Sequence, residues 1–359
     1  MSASHPRPLS ELGGWPAVLS TLIARHDLDP EVAEAAITEI LEGSATPSQM
    51  TAFIVALRAK GETAPELAGM LRAVRAAGQR VDLSADVAAR AIDIVGTGGD
   101  MSQSFNVSTL SAFVVAGAGV PVCKHGNRAA SSKCGAADLL EELGVAAELD
   151  PVGVADCIAE ANMGFCLAAR FHPAFRYTAP SRREIGISTA FNLLGPMANP
   201  APIGSMLVGV AVPWMMRPMI EALGSRGVRS AWVVHGHGGV DEITLAGPCK
   251  VLSLLSGEIT EFTVDAADIG LDHAPLDAIR GGDAAENAAI ARSILSGAPG
   301  AMRDTVVFNA AAALHIAGVA ADLRQGRSLA EQSIDSGAAG KVLDRLVDSS
   351  NRAAKRLEQ

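Results

Sequence analysis

Three separated segments of this chain combine glycine with residues that bind anions or divalent metals. They are Gly96-Thr97-Gly98-Gly99-Asp100, Lys124-His125-Gly126-Asn127-Arg128 and the run from His235 to Glu242. Glycine lets backbone N–H groups turn toward an anion, and lysine and arginine neutralise its charge. The adjacent carboxylates of Asp241 and Glu242 suit Mg²⁺, which takes one or two carboxylates together with substrate phosphates. The segments together predict a magnesium-assisted site for phosphate or diphosphate.

The first segment follows the apolar run Ile92 to Val95 and precedes the stretch Ser104 to Thr109, where a helix is expected to begin. A helix that begins there offers free N–H groups to an oxyanion. A tight strand-to-helix turn explains the glycines equally well on their own. Met101 stands at the last glycine position of a dinucleotide-binding fingerprint, and no Gly-Lys-Ser/Thr follows, so both of those nucleotide sites are excluded.

The other two segments also have plainer interpretations. Lys124 and Arg128 could form an exposed basic loop, and Asp241 and Glu242 could form a solvated acidic turn. The His-x-His spacing at His235 also allows a zinc hydrolase, but the remaining histidines stand singly, without metal-ligand spacing. Ligands bind at the carboxyl edge of parallel sheets, so loops that follow successive strands favour one shared site.

The elements that carry these loops differ between the two parts of the chain. From Trp15 to Ala77 the apolar residues recur at helical spacing, and Thr46-Pro47-Ser48-Gln49 and Thr63-Ala64-Pro65-Glu66 both have the form of capping boxes. This part predicts a module of about four helices. After Val81, short apolar runs alternate with Ala-rich helical stretches, which predicts an α/β sheet with crossover helices.

The predicted strands are Ile92 to Val95, Val120 to Cys123, Phe165 to Ala168, Met206 to Val210 and Ala231 to Val234. A Pro-rich interval from Pro173 to Pro202 interrupts the alternation and contains a helical-looking stretch, Arg182 to Leu194. We expect this interval to pack back on the helical module. The fold class is therefore α/β with a small all-helical domain.

Composition limits the range of functions. The chain has 359 residues, 49% of them hydrophobic, which is enough for two domains. A net charge of −10 without a Lys/Arg run makes nucleic acid an unfavourable partner. The five cysteines are an odd number without a C-x-x-C pair, so neither a disulfide framework nor a zinc knuckle is indicated. Neither a membrane span nor a secretory signal is recognisable, and we expect a cytoplasmic protein.

The motifs together resemble the anthranilate phosphoribosyltransferases of tryptophan biosynthesis, from about Leu12 to Leu346. Each motif alone is modest, whereas their order and spacing are specific. Those that carry the resemblance are Gly96-Thr97-Gly98-Gly99-Asp100, Asn106-Val107-Ser108-Thr109, Lys124-His125-Gly126-Asn127-Arg128 with Ser131-Ser132, Phe191-Asn192-Leu193-Leu194-Gly195-Pro196, and Asp241-Glu242.

This resemblance implies a homodimer with the two-domain architecture of nucleoside phosphorylases and phosphoribosyltransferases. The small helical domain is expected at residues 1–85, with a segment at about 178–200 packed on it, and the large domain at 86–177 and 201–359. The implied reaction transfers the phosphoribosyl group of 5-phosphoribosyl 1-diphosphate to the amine of anthranilate. Two Mg²⁺ ions per monomer are expected to assist it.

The resemblance also implies roles for individual residues. Mg²⁺ is expected at Ser108, Asp241 and Glu242, and anthranilate at Gly96, Asn127 and Arg182, with Arg183 leaving a one-residue ambiguity. No covalent or general-base residue is required, because an aromatic amine is already neutral at pH 7. The residues expected to bind the phosphoribosyl diphosphate are Gly96, Gly99, Asp100, Ser104, Asn106, Val107, Ser108, Thr109, Lys124, His125, Gly126, Asn127, Arg128, Ala129, Ala130, Ser131 and Ser132.

Three positions depart from the pattern of these enzymes. Met101 stands where glycine is frequent, Ala136 removes a serine hydroxyl near the phosphate, and Ser188 replaces a common arginine. Two rival functions remain open. One is a nucleoside phosphorylase of the same architecture, which has no need of a metal-bound diphosphate. The other is a non-enzymatic relative that binds nucleic acid, which the net charge disfavours.

Overall fold

The computed structural model describes residues 7–100, 102–129 and 132–358. Three residues discussed above, Met101, Ala130 and Ser131, lie outside the described residues. Ala130 and Ser131 were both expected to bind the diphosphate, and that prediction has no structural counterpart here.

Four helices form the N-terminal module, as the spacing of apolar residues predicts: α1 Gly14–Ile23, α2 Pro30–Leu41, α3 Pro47–Lys60 and α4 Ala64–Ala77. Both predicted start signals begin a helix. The Thr46 hydroxyl accepts from the Gln49 N–H at 3.2 Å, and the Gln49 side chain accepts from the Thr46 N–H at 2.8 Å. The Glu66 carboxylate accepts from the Thr63 N–H at 2.9 Å. These bonds satisfy donors that a helix start otherwise leaves free.

The second part of the chain builds a seven-stranded sheet in the order β3-β2-β1-β4-β5-β6-β7. The five predicted strands are all present, and they run parallel to one another. Two further strands, which the sequence did not predict, extend the sheet as an antiparallel hairpin. The strands are β1 Ile92–Gly96, β2 Val122–Gly126, β3 Met163–Leu167, β4 Ser205–Gly209, β5 Ser230–His235, β6 Cys249–Leu255 and β7 Glu258–Val264.

The remaining helices cover the sheet or return to the helical module. Among them α6 and α14 are buried along most of their length and pack on each other. Among the described residues, the twelve helices of this part are α5 Ala85–Arg90, α6 Val107–Gly117, α7 Ala136–Glu142, α8 Pro151–Ala161, α9 Ala168–Phe171, α10 Ala179–Ile185, α11 Ala190–Met197, α12 Met216–Ser225, α13 Ala284–Leu295, α14 Ala301–Ile316, α15 Leu323–Asp335 and α16 Ala338–Leu357.

The Pro-rich interval packs on the N-terminal module: α10 contacts α3, and α11 contacts α3 and α4. The stretch Arg182 to Leu194 is not one helix, because Gly186 adopts a left-handed conformation (φ +67°) and ends α10. The domain boundaries themselves stay a prediction. In the part of the chain that the structure describes, no helix is both long and apolar enough to cross a membrane.

Candidate active site at the carboxyl edge of the sheet

The loop that follows β1 leaves its backbone facing open space. Gly98 and Gly99 have φ values of +66° and +76°, and a Cβ added at either would meet no described atom within 4 Å. Thr97 fixes the start of the loop, because its N–H donates to the Gly209 carbonyl at 3.0 Å and its hydroxyl accepts from the Ala211 N–H at 3.2 Å. The expected anion loop is therefore anchored on β4 and open above it.

Asp241 joins this loop to the third predicted segment. Its Oδ2 accepts a hydrogen bond from the Gly98 N–H at 2.7 Å. Two strand-ending glycines make room for it: a Cβ on Gly96 would lie 2.3 Å from Asp241 Oδ2, and a Cβ on Gly209 would lie 1.6 Å from the Asp241 carbonyl oxygen. Gly209 was missing from the sequence prediction, although a glycine inside a strand pattern is a known sign of close backbone approach.

Glu242 and Lys124 bring the remaining segments to the same place. Glu242 Oε1 accepts from the N–H of Ser108, in the first turn of α6, at 3.1 Å. The ammonium group of Lys124, which is 2% exposed, donates to the Ser108 hydroxyl at 3.2 Å and to the Ile94 carbonyl at 2.5 Å. The structure thus brings together all three segments that the sequence singled out.

The charges at this edge are unbalanced. Burial and the nearby Asp100 carboxylate raise the pKa of Asp241 to about 7. Burial and the neighbouring Asp241 raise the pKa of Glu242 well above its ordinary value, and burial lowers the pKa of Lys124. One buried ammonium group therefore faces several carboxylates, which is an arrangement that a divalent cation stabilises.

Asp241 and Glu242 suit Mg²⁺ better than they suit a metal ion whose ligands all come from the protein. Within residues 7–100, 102–129 and 132–358, no group of three or more His, Cys, Asp or Glu side chains is arranged to hold a metal ion. Mg²⁺ usually uses one or two carboxylates and completes its shell with water and substrate phosphates. Asp241 and Glu242 provide such a partial set, together with Ser108, whose N–H donates to Glu242.

His125 and Asn127 continue the loop that Lys124 begins. His125 is 3% exposed, its N–H donates to Asp93 Oδ1 at 3.1 Å, and its Nε2 has no hydrogen-bond partner among the described residues. Asn127 is exposed after Gly126, and its Oδ1 accepts from the Arg128 N–H at 2.9 Å. Asn127 is therefore accessible to a ligand at this edge, whereas the His125 ring is buried against the His172 ring, with 5.3 Å between the ring centres.

Arg128 is oriented differently from the sequence expectation. Its guanidinium forms a two-point ion pair with Glu141, at 2.7 and 2.8 Å, and donates to Glu148 at 2.9 Å. Its charge is thus satisfied by carboxylates of the protein. Next to it, the N–H of Ala129 donates to Asp138, and Ser132 donates to the Cys134 carbonyl at 3.4 Å. The structure directs the charge of Lys124, and not that of Arg128, at the shared site.

The stretch between β1 and α6 is held from the side of α13. The Asn106 side chain accepts from Asn287 at 2.9 Å and donates to the Cys134 carbonyl at 3.2 Å. Ser104 forms an isolated bridge with Arg280. The N–H of Val107 donates to the Phe105 carbonyl, and the Thr109 hydroxyl is buried without a partner among the described residues. The bonds of Ser104 and Asn106 position the start of α6. Because both ends of the Asn106 amide bond to protein, that side chain is already engaged.

Arg182 lies apart from this cluster, on α10. No described residue forms an ion pair or a side-chain hydrogen bond with it, and burial lowers its pKa. Its guanidinium carbon lies 5.6 Å from the centre of the Phe191 ring, and that ring lies 6.1 Å from Phe175. Arg183 is exposed. A desolvated cation beside aromatic rings fits an aromatic carboxylate, and it favours Arg182 over Arg183.

The comparisons agree with this fold and site. Residues 88–340 match the glycosyl transferase family, a/b domain, and residues 16–78 match the helical bundle domain of the same family. Fold and site thus define a two-domain glycosyl transferase. Anthranilate phosphoribosyltransferase of Rhizobium meliloti (strain 1021) is 50% identical over 335 residues, which cover 93% of this chain and 98% of that protein. The chain belongs to the anthranilate phosphoribosyltransferase family.

Solved structures give the same assignment. Anthranilate phosphoribosyltransferase from Thermus thermophilus is 40% identical, with a TM-score of 0.88, and the match covers 93% of this chain and 99% of that one. The Saccharomyces cerevisiae enzyme in complex with PRPP and Mg is 28% identical, with a TM-score of 0.86 over 96% of this chain and 99% of that one. The same yeast enzyme was also solved in complex with 4-fluoroanthranilate.

Proposed function

We propose that this chain transfers the phosphoribosyl group of 5-phosphoribosyl 1-diphosphate to the amine of anthranilate, in tryptophan biosynthesis. The products are N-(5-phosphoribosyl)anthranilate and diphosphate. The observation that carries the proposal is the convergence of three loops: Gly98 and Ser108 of the first donate to Asp241 and Glu242 of the third, and Lys124 of the second donates to Ser108. Family membership and the yeast complexes with PRPP and Mg and with 4-fluoroanthranilate support the same substrates.

The donor site is proposed at the carboxyl edge of β1, β2 and β5. Gly99, in the open loop after β1, would supply an N–H donor to the diphosphate, whereas the N–H groups of Gly98 and Ser108 already donate to Asp241 and Glu242. Lys124 supplies positive charge. Ser108, Asp241 and Glu242 are the residues that would hold Mg²⁺, which when bound neutralises charge on the leaving diphosphate.

The acceptor site is proposed beside Arg182. Its guanidinium would pair with the anthranilate carboxylate, and Phe191 would contact the aromatic ring. Asn127 and Gly96 are proposed to face the amine from the donor side. This places the acceptor between α10 and the loops that follow β1 and β2.

The reaction follows from these positions. A bond forms between the amine nitrogen and the anomeric carbon of the ribose, and the bond from that carbon to the diphosphate oxygen breaks. The diphosphate leaves with the bonding electron pair, and the nitrogen releases one proton to solvent. Because the amine is neutral before it reacts, the protein has to orient the two substrates and stabilise the departing negative charge.

We further propose a homodimer in the cytoplasm, with two Mg²⁺ ions per monomer and a domain division at residues 1–85, with 178–200, against 86–177 and 201–359. The packing of α10 and α11 on α3 and α4 supports that division. Sedimentation and Mg²⁺ titration with the donor bound measure the oligomeric state and the number of ions.

The decisive experiment mixes the protein with phosphoribosyl diphosphate and anthranilate, with and without Mg²⁺, and follows the loss of anthranilate fluorescence. We expect turnover only with Mg²⁺ and with both substrates. Phosphate-dependent cleavage of thymidine or uridine, without turnover of anthranilate, would identify a nucleoside phosphorylase and overturn the proposal.

A further inference from the structure

The sheet is opened between β1 and β2, and side chains complete the ladder. Only Ile92 and Val122 pair between these strands, whereas β2 and β3 pair along their whole length, from Val122 to Gly126. After this first pair, β1 and β2 form no further pair along their described residues. Backbone groups that would pair in a regular parallel sheet, such as the Ile94 carbonyl and the His125 N–H, bond to side chains instead. Below, the part of the two strands after Ile92 and Val122 is called the open seam.

Three side chains fill the open seam. Asp93 Oδ1 accepts from the His125 N–H at 3.1 Å, and the Lys124 ammonium donates to the Ile94 carbonyl at 2.5 Å. The third is Asn199, whose Nδ2 donates to the Cys123 carbonyl at 2.7 Å and to Asp93 Oδ2 at 2.8 Å. Asp93 and Asn199 are both fully buried. Each bond therefore forms away from water, where an unpaired group is costly.

Asn199 does not belong to the sheet. It lies on the segment 198–204, by which the chain returns from α11 to β4, and its Oδ1 accepts from the Ala201 N–H at 2.9 Å. Arg226, directly after α12, fastens the same segment by donating to the carbonyls of Met197, Asn199 and Ala201 at 2.5, 2.9 and 3.2 Å. The end of α11 is thus held against the sheet by two polar side chains.

Three more hydrogen bonds tie the chain together close to Asn199. The N–H of Val81 donates to the Pro200 carbonyl at 3.3 Å, and the N–H of Gln79 donates to the Phe171 carbonyl at 2.8 Å. His172 Nε2 lies 2.9 Å from the Ala198 carbonyl. These bonds form one hydrogen-bonded node between the helical module and the sheet, and Asn199 extends from it into the open seam.

We propose that Asn199 is a positioning residue, which through the open seam fixes α11 relative to the loop that begins at Lys124. Phe191 lies on α11, and its ring contacts the Arg182 guanidinium, so the position of α11 sets the acceptor side of the site. The proposal rests on the function proposed above, since it concerns the alignment of the acceptor with the donor. Its physical basis is that the amide bonds both strands of the seam, whereas nothing else on 198–204 bonds them. A shift of that segment would move α11 and its Phe191 but leave the donor loops bonded to one another.

The test is Asn199→Ala, with steady-state kinetics for both substrates. Removing the amide leaves the Asp93 bond to His125 and the Lys124 bond to Ile94 in place. We expect the KM for anthranilate to rise and kcat to fall, each about tenfold, which corresponds to about 1.4 kcal/mol. Binding of phosphoribosyl diphosphate with Mg²⁺, measured by calorimetry, should change by less than about threefold, because the donor loops keep their own bonds.

The matched control is Ser350→Ala. Ser350 is fully buried, its hydroxyl accepts from the Ala146 N–H at 3.1 Å, and neither residue is among those proposed to bind the substrates. Its loss should lower thermal stability and leave both KM values unchanged. Arg226→Lys is the second test variant, for the case that Asn199→Ala does not fold. It keeps the charge but loses the three-carbonyl contact, and it should give the same kinetic split in weaker form.

Amide hydrogen exchange separates this proposal from the proposed function. Asn199→Ala should speed exchange both in α11 and at residues 123–126, and leave α14 unchanged. Faster exchange at residues 199–201 alone, or unchanged anthranilate KM in folded Asn199→Ala and Arg226→Lys, overturns the positioning role. If wild-type protein fails to convert anthranilate, the proposed function fails, and the exchange comparison still decides whether Asn199 couples the two regions.

Discussion

The Gly98 N–H donates to Asp241 Oδ2 across 2.7 Å, between residues 143 positions apart in the chain. That bond fixes the anion loop after β1 to the carboxylate pair after β5. One side of the loop faces open space at Gly98 and Gly99, and the other side bonds to the Asp241 carboxylate. A carboxylate that accepts a backbone N–H and has room made for it by two glycines is held in one orientation, which is what a metal-binding group requires.

Replacing both acids by amides, Asp241→Asn with Glu242→Gln, should abolish turnover. We expect a loss of at least about 10²-fold in kcat/KM for the donor, because the variant lacks the carboxylates proposed to hold Mg²⁺. The fold should survive, since burial raises the pKa values of both acids and the charged forms are therefore the costly ones. Activity assays and thermal unfolding measure the two effects. Glu261→Gln, an exposed pair with Lys250, is the control.

Near-normal turnover in the Asp241→Asn, Glu242→Gln variant would remove the metal assignment. A collapse of thermal stability without the metal present would instead show that the two carboxylates serve the fold.

A methyl group at Gly96 should displace the Asp241 carboxylate. The added Cβ would lie 2.3 Å from Oδ2, closer than real Cβ contacts allow. We expect Gly96→Ala to lower kcat/KM for the donor by about tenfold or more, with a small change in the melting temperature. Gly340→Ala in α16 is the control, because its Cβ would meet its nearest described atom at 3.7 Å. Equal kinetics for the two variants would contradict a positioned Asp241.

Arg182→Ala should raise the KM for anthranilate by about 10- to 100-fold, the cost of losing a charge-assisted contact. The KM for the donor should stay within about threefold. Arg183→Ala is the matched control, since that neighbouring side chain is exposed. If Arg183→Ala has the larger effect on the anthranilate KM, the assignment belongs to Arg183. Damage confined to the donor KM would place Arg182 in the other half of the site.

Most of the fold follows from local patterns in the sequence. The capping boxes at Thr46 and Thr63 begin helices because each satisfies its own free donors, and the five short apolar runs become parallel strands because each is buried on both faces. The hairpin β6 and β7 was missed. Its strand β7 is largely exposed, so the sequence Glu258 to Val264 lacks the apolar run that identified the other strands.

The donor side of the site follows from motifs, whereas its supports do not. Glycines next to charged residues identify the loops at Gly96, Lys124 and Asp241 because local composition carries their chemistry. The roles of Asn199 and Arg226 depend on tertiary structure, namely on the separation of β1 from β2 and on the path of the segment 198–204 beside them. Residue spacing in the sequence does not encode either feature. Asp93 was recognisable from the sequence, because it is the only charged residue in the apolar strand Ile92–Gly96 and a buried charge needs a partner.

Arg58 and Trp214 should contribute a measurable contact between the two parts of the chain. The Arg58 guanidinium carbon lies 3.6 Å from the centre of the Trp214 ring, and it joins α3 to the turn after β4. We expect a coupling of about 0.5 to 2 kcal/mol in a double-mutant cycle of Arg58→Ala and Trp214→Leu, measured by urea unfolding. The cycle cancels the separate loss of the Arg58 contact with buried Glu62. Additive single effects would show that the contact is energetically neutral.

His172 should make stability depend on pH at the node between the two parts of the chain. Burial lowers its pKa from 6.5 to about 4, so the unfolded chain binds more protons between these values and stability falls as pH drops from 6.5 to 4. Buried Asp93, whose pKa is raised from 3.8 to about 6, acts in the opposite direction over nearly the same range.

His172→Gln should remove the contribution of His172 to the pH dependence and leave that of Asp93. The His172 contribution is on the order of 3 kcal/mol at full size. Urea unfolding at several pH values, with exposed His26→Gln as control, measures it. Parallel stability curves for wild type and His172→Gln between pH 4 and 6.5 would contradict the prediction.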